Sequence, residues 1–295
     1  MDGVFNVLKP PGMTSHDVVA YLRRILETKR IGHGGTLDPD AAGVLPVFVG
    51  SATRLLEYAV EGTKEYIAEF RLGIKTDTGD DSGQVVKASI VPNLNADIFK
   101  KLFKQFIGPQ MQTPPMYSAI KIKGQKLYQL ARKGLMVERV PRPIEIFRIE
   151  LLYFTANSFT IAVECSKGTY IRVLGEDLAE ALGTSATLSF LLRTRVGAYT
   201  ISCANSLQEI MRDPLACKQS PLLAVTNLPK IHLNGKQAMR ITNGVPTTVM
   251  GYRDGRYVLL GPCEEFLGIA LCQGDKIRAE KILQRYQISE YNFRG

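Results

Sequence analysis

Asp38 stands in Gly32-His33-Gly34-Gly35-Thr36-Leu37-Asp38-Pro39-Asp40-Ala41-Ala42-Gly43-Val44-Leu45-Pro46, a stretch too rich in glycine and proline to run as regular helix or strand. Glycine permits backbone angles that other residues resist, and Pro39 restricts Asp38 to an extended conformation. A carboxylate on such a rigid, irregular loop can act as nucleophile or general base. Taken alone, Leu-Asp-Pro is more simply a turn in which the Asp bonds nearby amides. Two further side chains have types suited to chemistry. Tyr66 is a phenol on a strand, although a lone strand tyrosine is most often core. Arg172, in Ser166-Lys167-Gly168-Thr169-Tyr170-Ile171-Arg172, falls where a strand gives way to a helix. A charge at such an edge can face a cleft, although any single Arg is more often on the surface. An arginine beside a carboxylate offsets the cost of desolvating it and aims it through a charge-assisted hydrogen bond.

The elements that must position these groups are legible in order. Phe5–Lys9 reads as a strand ended by Pro10-Pro11-Gly12. Thr14-Ser15-His16-Asp17 resembles a capping box with Asp in place of Glu, and Val18, Tyr21, Leu22 and Ile25 follow at helical spacing. A short helix is expected near Leu55–Val60. Lys64–Leu72 alternates with period two, which predicts a half-buried strand with Tyr66, Ala68, Phe70 and Leu72 on one face. Asp77, Asp80 and Asp81 lack the spacing of a calcium loop and read as a polar turn. Asn95 caps a predicted helix through Phe106, with Ile98, Phe99, Leu102, Phe103 and Phe106 inward and Gly108 at its end. Ile144–Tyr153 and Phe159–Cys165 are predicted as adjacent strands, followed by a helix with Leu174, Leu178 and Ala181 inward. From about Asn227 short apolar strands (Tyr257–Leu260, Phe266–Leu271, Ile277–Ala279) alternate with Gly- and Asp-rich turns, the pattern of a small β-barrel.

The 295 residues suffice for one large domain and a small one, and the net charge of +9 favours a polyanionic partner, nucleic acid before anionic membrane. Between Tyr117 and Arg148 eight Lys/Arg face two acids, with Tyr117 and Tyr128 interleaved. That mixture suits phosphate contacts and base stacking, and equally an exposed amphipathic helix and hairpin. No apolar run is long enough to span a bilayer, and Met1-Asp2-Gly3-Val4 does not begin like a signal segment. Five cysteines without Cys-x-x-Cys spacing and three scattered histidines give no expectation of a zinc site and fit a reducing cytoplasm.

The Asp38 segment resembles the signature loop of the TruB-type pseudouridine synthases, Gly-His-x-Gly-x-Leu-Asp-Pro-x-Ala-x-Gly-x-Leu-Pro. Further motifs follow in order. Leu8–Asp17 is similar to the family's first motif, Lys64-Glu65-Tyr66 with Leu72–Asp80 to its second, and Ser166–Arg172 to its third. Leu191-Leu192-Arg193-Thr194 resembles its Leu-x-Arg-Thr segment, and Phe266–Ala270 is a looser match to a PUA-type strand. Ala179 departs from the glycine usual in the family. The resemblance implies an α/β (α+β) pseudouridine synthase fold with a mixed, largely antiparallel sheet. It divides the chain into a catalytic domain over 1–226, with an RNA-gripping insertion at about 109–143, and a PUA-like domain over 227–295.

The same resemblance implies isomerisation of the T-loop uridine of tRNA, position 55, with Asp38, Tyr66 and Arg172 catalytic. Tyr66 stacks on the target base and assists proton removal, and Arg172 pairs with Asp38. His33 fills the gap left by the flipped base. Lys9, Tyr117, Lys121, Lys126, Tyr170 and Leu191 are implied as substrate contacts, with Lys123 and Arg132 as further phosphate contacts. No metal, cofactor, guide RNA, membrane or obligatory protein partner is implied; the tRNA T-arm is the expected partner. A non-catalytic tRNA-folding or ribosome-associated factor, and a guide-dependent synthase, are the rival readings.

Overall fold

The computed structural model describes residues 1–122, 124–131 and 133–287; Lys123 and Arg132 lie outside the described residues, as do the side chains of Ile122 and Lys126. The main sheet has ten strands. Its path runs Lys218–Gln219, Gly3–Lys9, Ala42–Val49, Ala186–Val196, Lys64–Leu72, Ser158–Cys165, Arg142–Phe154, Gly108–Gln112, with Ile31–His33 and Tyr199–Thr200 paired to the side. Its ladders are antiparallel except one, where Ala186–Val196 runs parallel to Ala42–Val49 and sets Arg193 opposite Gly43. The expected mixed, largely antiparallel sheet is therefore present.

Alternation decides which face is covered. Tyr66, Ala68, Phe70 and Leu72 are buried and join Phe159, Ile161 and Val163 from the neighbouring strand. The helices Ala96–Phe106 and Ile171–Ala181 cover this face with Phe99, Leu102, Phe103, Leu174 and Leu178. Asn95 caps the first through the amide of Ile98, as its sequence predicts, while Gly108 opens the next strand instead of ending the helix. The second helix sits close because Gly175 has no side chain. A Cβ there would lie 1.9 Å from the Phe70 ring. This close approach fixes the height of the helix whose first turn carries Arg172.

The N-terminal helix, Ser15–Ile25, begins with the expected capping box, the Asp17 carboxylate accepting from the Thr14 amide at 2.8 Å. A second sheet of five strands forms the C-terminal region, in the order Lys230–His232, Gly255–Leu260, Phe266–Gln273, Lys276–Ile282, Thr247–Thr248. It does not stand off from the first. Val258, Leu260 and Ile269 share one apolar cluster with Val4, Val44, Phe48, Val196 and Tyr199 of the main sheet. Lys281 also pairs with Glu57 at 3.1 Å. Truncating a side chain in such a core removes about 2–5 kcal/mol. Ile269→Ala is therefore expected to lower the melting temperature while both regions still unfold in one transition. Two separate transitions in the parent, followed by calorimetry, would show that the shared cluster does not couple them.

Among the described residues no helix is long and apolar enough to cross a membrane.

Candidate active site

The Asp38 loop joins Ile31–His33 to Ala42–Val49, and its backbone is held by side chains from three other elements. Ser15 Oγ accepts from the Leu37 amide at 2.9 Å and donates to the Leu37 carbonyl at 3.3 Å. Lys9 Nζ donates to the carbonyls of Pro39, Met13 and Pro10 at 2.9, 2.6 and 2.8 Å. Arg193 donates to those of Gly35, Thr36 and Val44 at 3.0, 3.3 and 2.8 Å. The loop needs its glycines where it is pressed hardest: Gly43 has φ +114°, and a Cβ there would lie 2.2 Å from the Arg193 carbonyl oxygen. With its backbone fixed, the loop presents the Asp38 carboxylate to a pocket of about 320 Å³.

Arg172 reaches the same pocket from the first turn of its helix. Its Nε lies 3.0 Å from Asp38 Oδ2 and 3.7 Å from Asp80 Oδ2. Nη1 donates to the Thr78 carbonyl at 2.7 Å and Nη2 to the Tyr117 carbonyl at 2.8 Å. The guanidinium is 5% exposed and the Asp38 side chain 42%, so the desolvated member of the pair is the arginine. A two-point grip of guanidinium on the Asp38 carboxylate, the geometry natural to such pairs, is not what forms. One edge meets the carboxylate and the remaining nitrogens are anchored to two loops.

Tyr66 closes one side of the pocket. It is 7% exposed, and burial pushes its hydroxyl up to about 12 against the easing effect of the nearby Arg193 guanidinium. The phenol is therefore neutral at ordinary pH and is a donor, not a standing base. Lys64, one residue pair along the same strand face, donates to the Val60 and Gly62 carbonyls at 3.1 and 3.0 Å; burial, then Arg193, lowers its pKa to about 8. Tyr170 and Leu191 also line the pocket. Gln112 fixes Tyr170 through both backbone groups, at 2.8 and 3.1 Å.

Asp38, Tyr66, Arg172, Tyr170 and Leu191 thus converge, while Lys9, Tyr117, Lys121 and His33 do not line the pocket. Lys9 is fully buried and all three of its donors are taken by carbonyls, so it supports the loop and leaves nothing for a substrate. Burial lowers its pKa to about 8. Tyr117 contributes its carbonyl to Arg172, but its ring packs in the small apolar cluster of the insertion with Met116, Leu127 and Leu130. Lys121 is exposed on a two-residue strand paired with Gln125–Lys126. His33 is half-buried and meets the His16 ring edge-on, centroids 5.6 Å apart. Burial, then His16 and Arg193, lower its pKa, which keeps the imidazole neutral. A larger cavity of about 620 Å³ lies by Leu8, Pro11, Tyr21, Leu192 and Leu207. It holds no carboxylate, and the one cation at its wall is the saturated Lys9.

Three residues were not anticipated. Asp80 belongs to a turn that orders itself, its Oδ1 accepting from Thr78 Oγ1 at 2.7 Å, and this aims Oδ2 at Arg172. Lys64 and Arg193 are inward charges on strands whose inward neighbours are Tyr66 and Leu191. An inward-parity charge on an apolar strand face is rare enough to be a signal in itself. Among the described residues no group of His, Cys, Asp or Glu is placed to hold a metal ion.

The pocket is lined by a phenol and faced by a carboxylate in a cationic surround. Residues 23–171 match the model of the TruB family pseudouridylate synthase, N-terminal domain. The chain is 39% identical over 292 residues to a tRNA pseudouridine synthase B of Heliobacterium modesticaldum, covering 94% of this chain and 95% of that protein. It is 48% identical over 254 residues to that of Moorella thermoacetica, covering 82% of each. Among solved structures, a chain of a Cbf5–Nop10–Gar1 complex superposes with a TM-score of 0.75 at 26% identity, covering 96% of this chain and 85% of that one. The chain belongs to the TruB family of pseudouridylate synthases.

Proposed function

We propose that this protein isomerises the T-loop uridine of tRNA, position 55, to pseudouridine without a guide RNA. The observation that carries this is the convergence of Asp38, Arg172 and Tyr66 on one pocket. In the reaction the N1–C1′ bond breaks and a C5–C1′ bond forms. The proton lost from C5 is balanced by one gained at N1, so nothing is added and no redox partner is needed. Asp38 is the nucleophile, Arg172 holds it in line, and Tyr66 stacks on the base as a neutral phenol. His33, beside the loop and neutral, fills the gap left in the RNA stack. Flipping a nucleotide costs a few kcal/mol, which contacts elsewhere on the RNA must supply. Residues 1–226 form the catalytic unit, the insertion at about 109–143 grips the stem-loop, and 227–295 form a PUA-like unit that holds tRNA away from the reacting base.

The test is incubation with an unmodified T-stem-loop transcript and no added guide, followed by mapping of pseudouridine. Product at the T-loop position supports the proposal. Binding without product would make the chain a tRNA-folding factor, and product only with a guide would make it guide-dependent.

The insertion gives a separate expectation. If Lys121 and Lys126 neutralise phosphates, each releases counterions, and the logarithm of affinity falls with that of salt by about 0.7–0.9 per contact. Lys121→Gln with Lys126→Gln should lower the slope by up to roughly 1.4–1.8 and leave single-turnover chemistry at saturating tRNA little changed. An unchanged slope in a salt titration would leave these lysines as a solvated face.

A further inference from the structure

Arg193 lies where two ladders of the main sheet meet. Across the parallel ladder it faces Gly43, just after the Asp38 loop, and across the antiparallel ladder it faces Tyr66. Its side chain is 1% exposed. The three carbonyls it binds flank Asp38 in the chain, Gly35 and Thr36 before it and Val44 after it. The same guanidinium is near enough to the Tyr66 hydroxyl to act on it electrostatically.

We propose that Arg193 is a positioning residue of the isomerisation, one buried guanidinium that fixes the Asp38 carboxylate and the Tyr66 ring in a single relative position. This role presupposes Asp38 and Tyr66 acting as proposed above.

The physical case begins with cost. A buried charge is expensive unless it is paired, and an apolar side chain of similar volume is commonly a more stabilising occupant of a core. Among the described residues no carboxylate lies within ion-pair distance of Arg193, whose hydrogen-bond partners are neutral carbonyls. A residue that served packing alone would not need a charge here. What a planar fork adds is direction: five donors in one rigid plane can hold carbonyls on both sides of a loop at once. Arg193 and Tyr66 also line the same pocket. None of the carbonyl contacts is to a substrate-facing atom of Asp38, so the effect is on where the carboxylate sits.

The spacing of the glycines supports the same picture. Gly35 has φ +124°, and a Cβ there would lie 3.7 Å from Arg193 Nη1 and 3.8 Å from Lys64 Cε. At Gly43 a Cβ would strike the Arg193 backbone. The loop thus meets Arg193 at both of its ends, in ordinary contact at Gly35 and tightly at Gly43, and a lysine, with one nitrogen, cannot hold both ends.

The experiment compares full-length parent, Arg193→Lys, Tyr66→Phe and the double variant on an unmodified T-stem-loop transcript. It measures single-turnover rate at saturating RNA, the dissociation constant and the thermal transition. Arg193→Lys is expected to lower the rate roughly 100-fold, the size of a displacement of about 1 Å at a reacting group. Its dissociation constant should stay within about three-fold of the parent, since RNA contacts are untouched. In the Tyr66→Phe background the same change should cost less, because Tyr66, paired across the ladder from Arg193, then no longer offers a hydroxyl for it to place. A rate within about three-fold of the parent overturns the proposal. So does parallel loss of rate and affinity, equal costs in both backgrounds, or failure of Arg193→Lys to fold, each of which would make Arg193 a structural residue. An active parent separates these outcomes from the functional proposal, which falls only if the parent itself forms no pseudouridine.

Discussion

Asp38→Asn is expected to abolish pseudouridine formation while tRNA binding stays close to that of the parent. The amide keeps the shape of the side chain and loses the charge and nucleophilicity that the reaction needs. The substitution is clean because the loop is held through its backbone: Ser15, Lys9 and Arg193 grip carbonyls and an amide of Gly35, Thr36, Leu37, Pro39 and Val44, none of them the Asp38 side chain. Arg172 would also remain tied, through the Thr78 and Tyr117 carbonyls, with the Asp80 carboxylate 3.7 Å away. An effect confined to chemistry is therefore expected. Single-turnover assays on homogeneous protein, beside a binding titration, decide the matter; measurable product from Asp38→Asn would remove Asp38 from its role.

Local chemistry made much of this legible in the sequence. The alternation over Lys64–Leu72 placed Tyr66, Ala68, Phe70 and Leu72 on the buried face, and Thr14 with Asp17 marked a helix start that the structure contains. Glycines and prolines around Asp38 pointed to an irregular loop, which holds between the strands, but Ala42–Val49 runs as a strand through Gly43 and Pro46 because it is paired on both sides within the sheet. What was not legible depends on where side chains point. The family resemblance implied Lys9 as a substrate contact, yet it turns inward under Pro39. Tyr117 looked like a stacking platform, and its ring is used by the insertion's own small core. Arg193 meets the Asp38 loop across 158 positions of sequence, a pairing fixed only when the parallel ladder forms. The composition change near Asn227 was visible, but the cluster joining Val258 and Ile269 to Val4 and Phe48 is a tertiary fact. A chain can change character at a boundary and still bury both sides of it together.

Arg172→Lys is expected to cost turnover severely although the charge is kept. The usual argument, that lysine loses a two-point grip on the carboxylate, does not apply here, because only Nε meets Asp38. The loss has another source. Three nitrogens of one plane go to three places: Nε to Asp38, Nη1 to Thr78 in the turn that carries Asp80, and Nη2 to Tyr117 at the base of the insertion. A lysine ammonium is a compact point charge on a flexible stem and cannot reproduce that fork. It would also leave buried carbonyls without donors, at about 1–3 kcal/mol each. Misplacing the carboxylate by about 1 Å alone accounts for a factor near 100. Because the helix is seated by Gly175 against Phe70, its backbone cannot slide to compensate for the shorter reach. The single-turnover rate should therefore fall by at least roughly 100-fold with the dissociation constant for tRNA little changed. A rate near that of the parent would show that Arg172 supplies charge alone and that the two anchoring carbonyls are incidental.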